Sequence, residues 1–285
     1  MAMAMPRNDE GNIGEVNWNW VIGLPNLDPR TENLITFLHN VPGNLQPLDG
    51  IRMVEIYRAT GHQIKPLESN QAEYEIIGEY FMNTRYTGNS ENKPYNPSEI
   101  MHIFKITSLG ENHWNEEFLT NRKLLWHGTP SENILGILTH GFRTHPDYGI
   151  CFSETSPMAA FHCRKDLQAP VWDNIRFILL CEVTLGESET RYEKIKDSIP
   201  PPGPDRDSTH CVGRLTPLEW RRMNELRLGS RDTFPDGDFN DCDYMVPWGR
   251  WFDNGDTSLN FQSEYRVYNG ARIKVRYIVQ CKVVG

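Results

Sequence analysis

Leu124-Leu125-Trp126-His127-Gly128-Thr129 runs an apolar stretch straight into a His-Gly step, and the residues after it mark a helix start. Thr129 is placed to cap that helix, Pro130 suits its first position, and Glu132 completes a capping box. Ile134, Ile137 and Leu138 then recur at helical spacing, and Gly141 ends the run. His127-Gly128 therefore sits on a short turn between a strand and a helix. Glycine there lets a ligand lie against main-chain N–H and C=O groups that a side chain would shield. On its own this arrangement fits a buried structural histidine equally well.

Outward from that turn the pattern is α+β. Ala72, Ile76, Ile77, Tyr80 and Phe81 form the apolar stripe of a helix after Ser69. Met101 to Ile106, Phe177 to Thr184 and Arg272 to Val284 carry β-branched and aromatic residues and read as strands. In the last of these Ile273, Val275, Tyr277 and Val279 share one face, with Lys274 and Arg276 on the other. Ile199 to Trp251, broken by Pro200-Pro201-Pro202, reads as a long surface excursion with a short helical piece near Leu218 to Leu226. Residues 1–50 read as an N-terminal extension with apolar islands at Val16 to Leu24 and Leu34 to Leu38, and residues 51–285 as one domain.

The 285 residues contain no apolar stretch long enough for a membrane span, and Met1 to Pro6 has no hydrophobic signal core. Six scattered cysteines without a CxxC pair read as reduced thiols of an intracellular protein, cytoplasmic or nuclear, rather than as a disulfide framework or zinc site. A net charge of −9 argues against a chain whose main work is to grip nucleic-acid phosphates.

Several blocks taken in order resemble the catalytic domain of the poly(ADP-ribose) polymerases. They are Leu124 to Arg143, Gly149-Ile150-Cys151-Phe152, Phe177 to Gly186 and Ser263-Glu264-Tyr265-Arg266-Val267-Tyr268, the last matching a Glu-Tyr-x-Val-Tyr motif. Upstream, Ala72 to Arg85 and Ile103 to Ile106 are similar to the segments that open that domain. The resemblance implies the ADP-ribosyltransferase fold, with mixed, mostly antiparallel sheets and flanking helices. It implies NAD as the substrate, no metal, and transfer of ADP-ribose to a protein or nucleic-acid acceptor. In the DNA-dependent members a helical regulatory domain precedes the catalytic one. The roughly seventy residues before Ala72 are too interrupted by Pro and Gly for such a bundle, so activation by DNA is not expected.

By the same resemblance the catalytic positions are His127, Cys151 and Glu264. Cleaving the nicotinamide–ribose bond releases a leaving group that is already a cationic pyridinium, so no general acid is needed. The barrier lies in the cation developing on ribose, which a carboxylate near the 2′-hydroxyl stabilises, and Glu264 is placed for that task. His127 matches the histidine that positions ribose hydroxyls, and Gly128 the residue whose backbone pairs with the carboxamide. Thr129, Asn133, Gly136 and Arg143 match contacts to adenosine and phosphates, although capping, exposure or helix packing explains such residues too.

The departures lie around nicotinamide. Cys151 stands where the family has a stacking tyrosine, His162 where it has a second one, and Ala159 where it has the hydroxyl that grips the carboxamide. Each loss is worth on the order of 1 kcal/mol. His162 can still stack, and Tyr148 or Phe161 can supply aromatic area. Met158 replaces a lysine thought to hold the acceptor, and the loop from Thr144 to Tyr148 is short beside the family's donor-site loop. Mono(ADP-ribosyl) or short-chain transfer is therefore expected. NAD hydrolysis and an inactive interaction module of the same fold are the alternatives.

Overall fold

The computed structural model describes residues 27–39, 50–84, 96–110, 120–163, 174–193, 201–226 and 243–284. Helices α1 (Pro29–His39), α2 (Gly50–Ala59), α3 (Ala72–Asn83), α4 (Ile134–His140) and α5 (Ser156–His162) flank a sheet. Its strands are β1 (His62–Pro66), β2 (Asn96–Ser108), β3 (Arg122–His127), β4 (Ile150–Ser153), β5 (Ile175–Thr184), β6 (Ser188–Arg191) and β7 (Ser208–Cys211). The rest are β8 (Gly213–Arg222), β9 (Met245–Asp253), β10 (Asn260–Gln262), β11 (Glu264–Val267) and β12 (Ile273–Val284). The main path is β1-β2-β12-β5-β3-β4-β11-β7-β6, with β8, β9 and β10 branching from it. Pairing is antiparallel except for β6·β7, β3·β9 and β8·β10, so the expected α+β architecture holds.

Alternation along the strands sends side chains into two cores, one on each face. On β3, Leu125 enters the first core while Leu124 and Trp126 enter the second. α1, α2 and α4 cover the first core with Leu34, Ile35, Leu38, Met53, Tyr57, Ile134 and Leu138. α3 and α5 cover the second with Ile76, Ile77, Tyr80, Phe81, Ala159 and Ala160. The apolar island at Leu34 to Leu38 is thus the buried stripe of α1, whereas Val16 to Leu24 lies outside the described residues.

Three local expectations are corrected. First, the single face assigned to β12 is broken: Ile273 belongs to the first core, but Tyr277 and Val279 belong to the second. The cause is a register shift between Val275 and Tyr277 against β5; one extra residue in a strand reverses the parity of everything after it. Arg276, the extra residue, bonds through Nε to the buried Glu182 carboxylate at 2.7 Å. Second, Leu218 to Arg222 is strand rather than helix, because β8 pairs with β9 from Leu215 to Arg222; only Met223–Glu225 makes a 3-10 turn. Third, the capping box does not form. Ser131–Asn133 is a 3-10 turn with no side-chain cap, and α4 starts only at Ile134. The Thr129 hydroxyl is instead occupied by the Asn133 amide, which donates to it at 3.2 Å. Gly141 ends α4 as expected, at φ 75°.

Candidate active site

β3 delivers His127 to the end of a strand paired with β5 on one side and β4 on the other. Its Nδ1–H donates to the Cys151 carbonyl at 2.8 Å. Phe142 meets the ring edge-on at a centroid distance of 5.0 Å, and Phe152 lies against it at 5.3 Å. Burial pulls the imidazole down to about 4, outweighing the opposite pull of the Cys151 carbonyl. The ring is therefore neutral at ordinary pH, with the Nε2 lone pair left to accept a hydroxyl proton.

A cavity of about 630 Å³ opens beside this ring, within the range of small-molecule sites. It brings together His127, Gly128, Cys151, Ala159, His162 and Glu264, residues that are far apart in the chain. Thr129, Asn133, Gly136 and Arg143 also line it. Tyr148 does not; it is 47 % exposed and packs on His145. Phe161 is likewise outside the lining and 53 % exposed.

The two glycines differ in what they do. A Cβ at Gly128 would stand 1.8 Å from the Ala159 carbonyl oxygen, so the close approach of α5 to the turn requires glycine there. A Cβ at Gly136 would meet nothing within 4 Å. Helix packing therefore does not explain Gly136, whose missing side chain leaves cavity space.

β11 lies between β4 and β7, with Glu264 opposite Ser153 and Cys211, and Arg266 opposite Cys151 and Thr209. Tyr265 and Val267 point into the first core, which turns Glu264 and Arg266 to the other face. Behind Glu264, the Tyr265 hydroxyl donates to the buried Glu154 carboxylate and accepts from Lys123 Nζ at 3.1 Å. His210 stacks on the same ring at 4.2 Å. Burial raises the Glu154 carboxyl and lowers the Lys123 ammonium from their ordinary values. These bonds pin β11 to β3 and β4, and so fix the backbone that carries Glu264.

Burial, and after it the neighbouring Glu264 carboxylate, push the Cys151 thiol up to about 12. Cys151 is thus a neutral, half-buried thiol and neither a nucleophile nor a base. Sequence reasoning missed Phe142 and Phe152, which wall His127, as well as Glu132 and His140 in the lining. It also missed the Arg266 guanidinium, whose Nε–H donates to Glu264 Oε1 at 2.6 Å. Only the proximity of an arginine two residues away hinted at that bond. Among the described residues no group of three or more His, Cys, Asp or Glu could hold a metal ion. No helix among them is long and apolar enough to cross a membrane.

Residues 71–283 match the family model described as the poly(ADP-ribose) polymerase catalytic domain. The chain is 28 % identical to human poly [ADP-ribose] polymerase 2 over 79 % of its own length and 36 % of the relative's. It is 34 % identical to the Drosophila melanogaster poly [ADP-ribose] polymerase over 76 % of its length and 20 % of that protein. Similarity to the human protein mono-ADP-ribosyltransferase PARP3 is 29 % identity, covering 79 % of this chain and 40 % of that one. The chain therefore spans well under half the length of these curated relatives.

Proposed function

Because the chain belongs to the poly(ADP-ribose) polymerase catalytic-domain family, we propose that it cleaves the nicotinamide–ribose bond of NAD and transfers ADP-ribose to a macromolecular acceptor. The observation that carries this reading is one cavity lined by both the neutral His127 and Glu264. In the reaction the C–N bond breaks with its electron pair going to the pyridinium, which leaves as neutral nicotinamide. Glu264 stabilises the ribosyl cation that forms, while His127 Nε2 accepts from a ribose hydroxyl and holds the donor in place. Gly128 offers its backbone to the carboxamide, and Thr129, Asn133, Gly136 and Arg143 accommodate the adenosine and phosphate half. Cys151, Ala159 and His162 leave the nicotinamide end less tightly held than stacked rings and a hydroxyl do.

Replacing Glu264 by Gln removes the charge at nearly constant volume, so turnover should fall by several powers of ten with the fold intact. The measurement is incubation with labelled NAD, counting macromolecule-bound label and free ADP-ribose separately. Turnover within about threefold of the parent chain rejects the assignment. Predominance of free ADP-ribose supports instead a second reading, NAD hydrolysis, which is favoured because neither Tyr148 nor Phe161 lines the cavity to cover the donor.

Products should be mono(ADP-ribose) or very short chains, since Met158 lines the cavity where a cation would steady an incoming chain end. A denaturing gel run with excess NAD reads their length, and a long ladder contradicts this expectation. A net charge of −9 also leads us to expect no large stimulation of the purified chain by nicked DNA.

A further inference from the structure

We propose that Arg266 is a positioning residue for the Glu264 carboxylate, and that the small side chain of Cys151 is what makes room for it. The inference rests on the catalytic reading of Glu264. Arg266 occupies the open x of Glu-Tyr-x-Val-Tyr, and the motif itself assigns it no task. Its side chain is nevertheless only 8 % exposed and grips Glu264 Oε1 through Nε–H at 2.6 Å. One carboxylate oxygen is thereby held, which restricts the rotation of a group that lines the cavity. A free glutamate has several side-chain rotors to immobilise before it can meet the ribose 2′-hydroxyl.

Two further observations set this pair apart from an ordinary surface salt bridge. Arg266 Nη1 is buried with no hydrogen-bond partner among the described residues, so the guanidinium sits desolvated beside the carboxylate rather than in a solvated surface pair. Arg266 also stands directly across the β4·β11 ladder from Cys151. Side chains in that relation have Cβ atoms about 4.5–5.5 Å apart and share one space. A ring at position 151 and a guanidinium at 266 compete for it, and the small Cys151 side chain leaves that space to Arg266. Arg266 is not part of the cavity lining, and its effect on NAD is exerted through Glu264.

The test measures kcat and KM for NAD in Arg266→Leu, Arg266→Lys, Cys151→Tyr and the double variant Cys151→Tyr/Arg266→Ile, beside Glu264→Gln. Arg266→Leu should lower kcat about tenfold and leave KM within about twofold, because the donor pocket is untouched. Arg266→Lys keeps the charge but not the lateral N–H, and should recover only part of the loss. Cys151→Tyr alone should lower kcat by displacing the guanidinium. The double variant, in which the ring meets Ile, should lose no more kcat than Arg266→Leu alone, since both changes remove the same grip on Glu264; the fall in kcat at unchanged KM is the readout that a merely structural arginine does not move. Unchanged or raised kcat in Arg266→Leu, or strictly additive losses in the double variant, overturns the proposal. If Glu264→Gln keeps its turnover, the catalytic reading falls and this proposal with it; if Glu264→Gln loses its turnover while Arg266→Leu is normal, only the positioning role falls. Should Arg266→Leu not fold, Arg266→Lys and the double variant still decide.

Discussion

His127 should stay neutral far into acid, because burial holds its ring at about 4 against the opposing pull of the Cys151 carbonyl, to which Nδ1–H donates. Nε2 then remains an acceptor at every pH where the protein is ordinarily assayed. KM for NAD is expected to be flat from about pH 8 to 5 as far as His127 is concerned and to rise only as the ring protonates near 4. An ordinary histidine would inflect near 6.5, and a titration of the His127 ring resonances by NMR separates the two. His127→Ala should raise KM about tenfold, the scale of one neutral hydrogen bond. At this scale much of the candidate site's lining was legible, since His127 and Glu264, which line one cavity, each sit in a distinctive block. Arg266 was not, because a strand motif shows that a position is variable without showing what its side chain reaches. Phe142 and Phe152 escaped for a similar reason: the T-shaped and tilted contacts to His127 join residues brought together only by the fold.

The turn and the helix that follow His127 separate packing from binding. Gly128→Ala drives a methyl group into the Ala159 carbonyl, and it should destabilise the fold by at least the 1–3 kcal/mol typical of overpacking, roughly. Gly136 lies inside α4 with open space where its Cβ would be, so alanine there should be neutral or stabilising by about 0.5–1 kcal/mol. Gly136→Leu should leave the melting temperature unchanged or higher while raising KM for NAD, as the side chain enters the cavity. Loss of stability in Gly136→Leu without a change in KM contradicts the placement of this helix face. Helix α4, the α3 stripe and the long strands were readable from periodicity, because burial on one face imposes it. The errors fall where one local choice overrides another. Asn133 takes the Thr129 hydroxyl from the cap, and the extra residue Arg276 is held by Glu182 as β12 changes face. In the third case β9 recruits Leu218 to Arg222 into a sheet despite helix-compatible residues. The last is a tertiary override of local propensity, which no short window of sequence contains.

On the scale of the whole molecule, a sheet with a core on each face must bury whatever polar groups its strands carry inward, and two histidines are held neutral as a result. Burial lowers both His127 and His210 to about 4, against about 6.5 in an unfolded chain. Between these values the unfolded state binds more protons than the folded one, so stability rises with pH across that window. The contribution is fully present above about 6.5 and is lost as pH falls toward 4. At pH 5 each ring costs the fold up to about 2 kcal/mol relative to pH 7 by this linkage. Glu154 acts in the opposite sense, because burial raises its carboxyl and the folded state keeps that proton to a higher pH. His62 and His102, also lowered by burial, act in the same sense as the two rings, so the balance is a net loss on acidification. The melting temperature should therefore drop between pH 7 and 5, well above the range in which ordinary carboxylates protonate. His210→Phe keeps a ring stacked on Tyr265 and removes one of these titrations, so it should make the slope shallower. A melting temperature independent of pH from 7 to 5, or a slope unaltered in His210→Phe, shows that these rings are not held neutral by the fold.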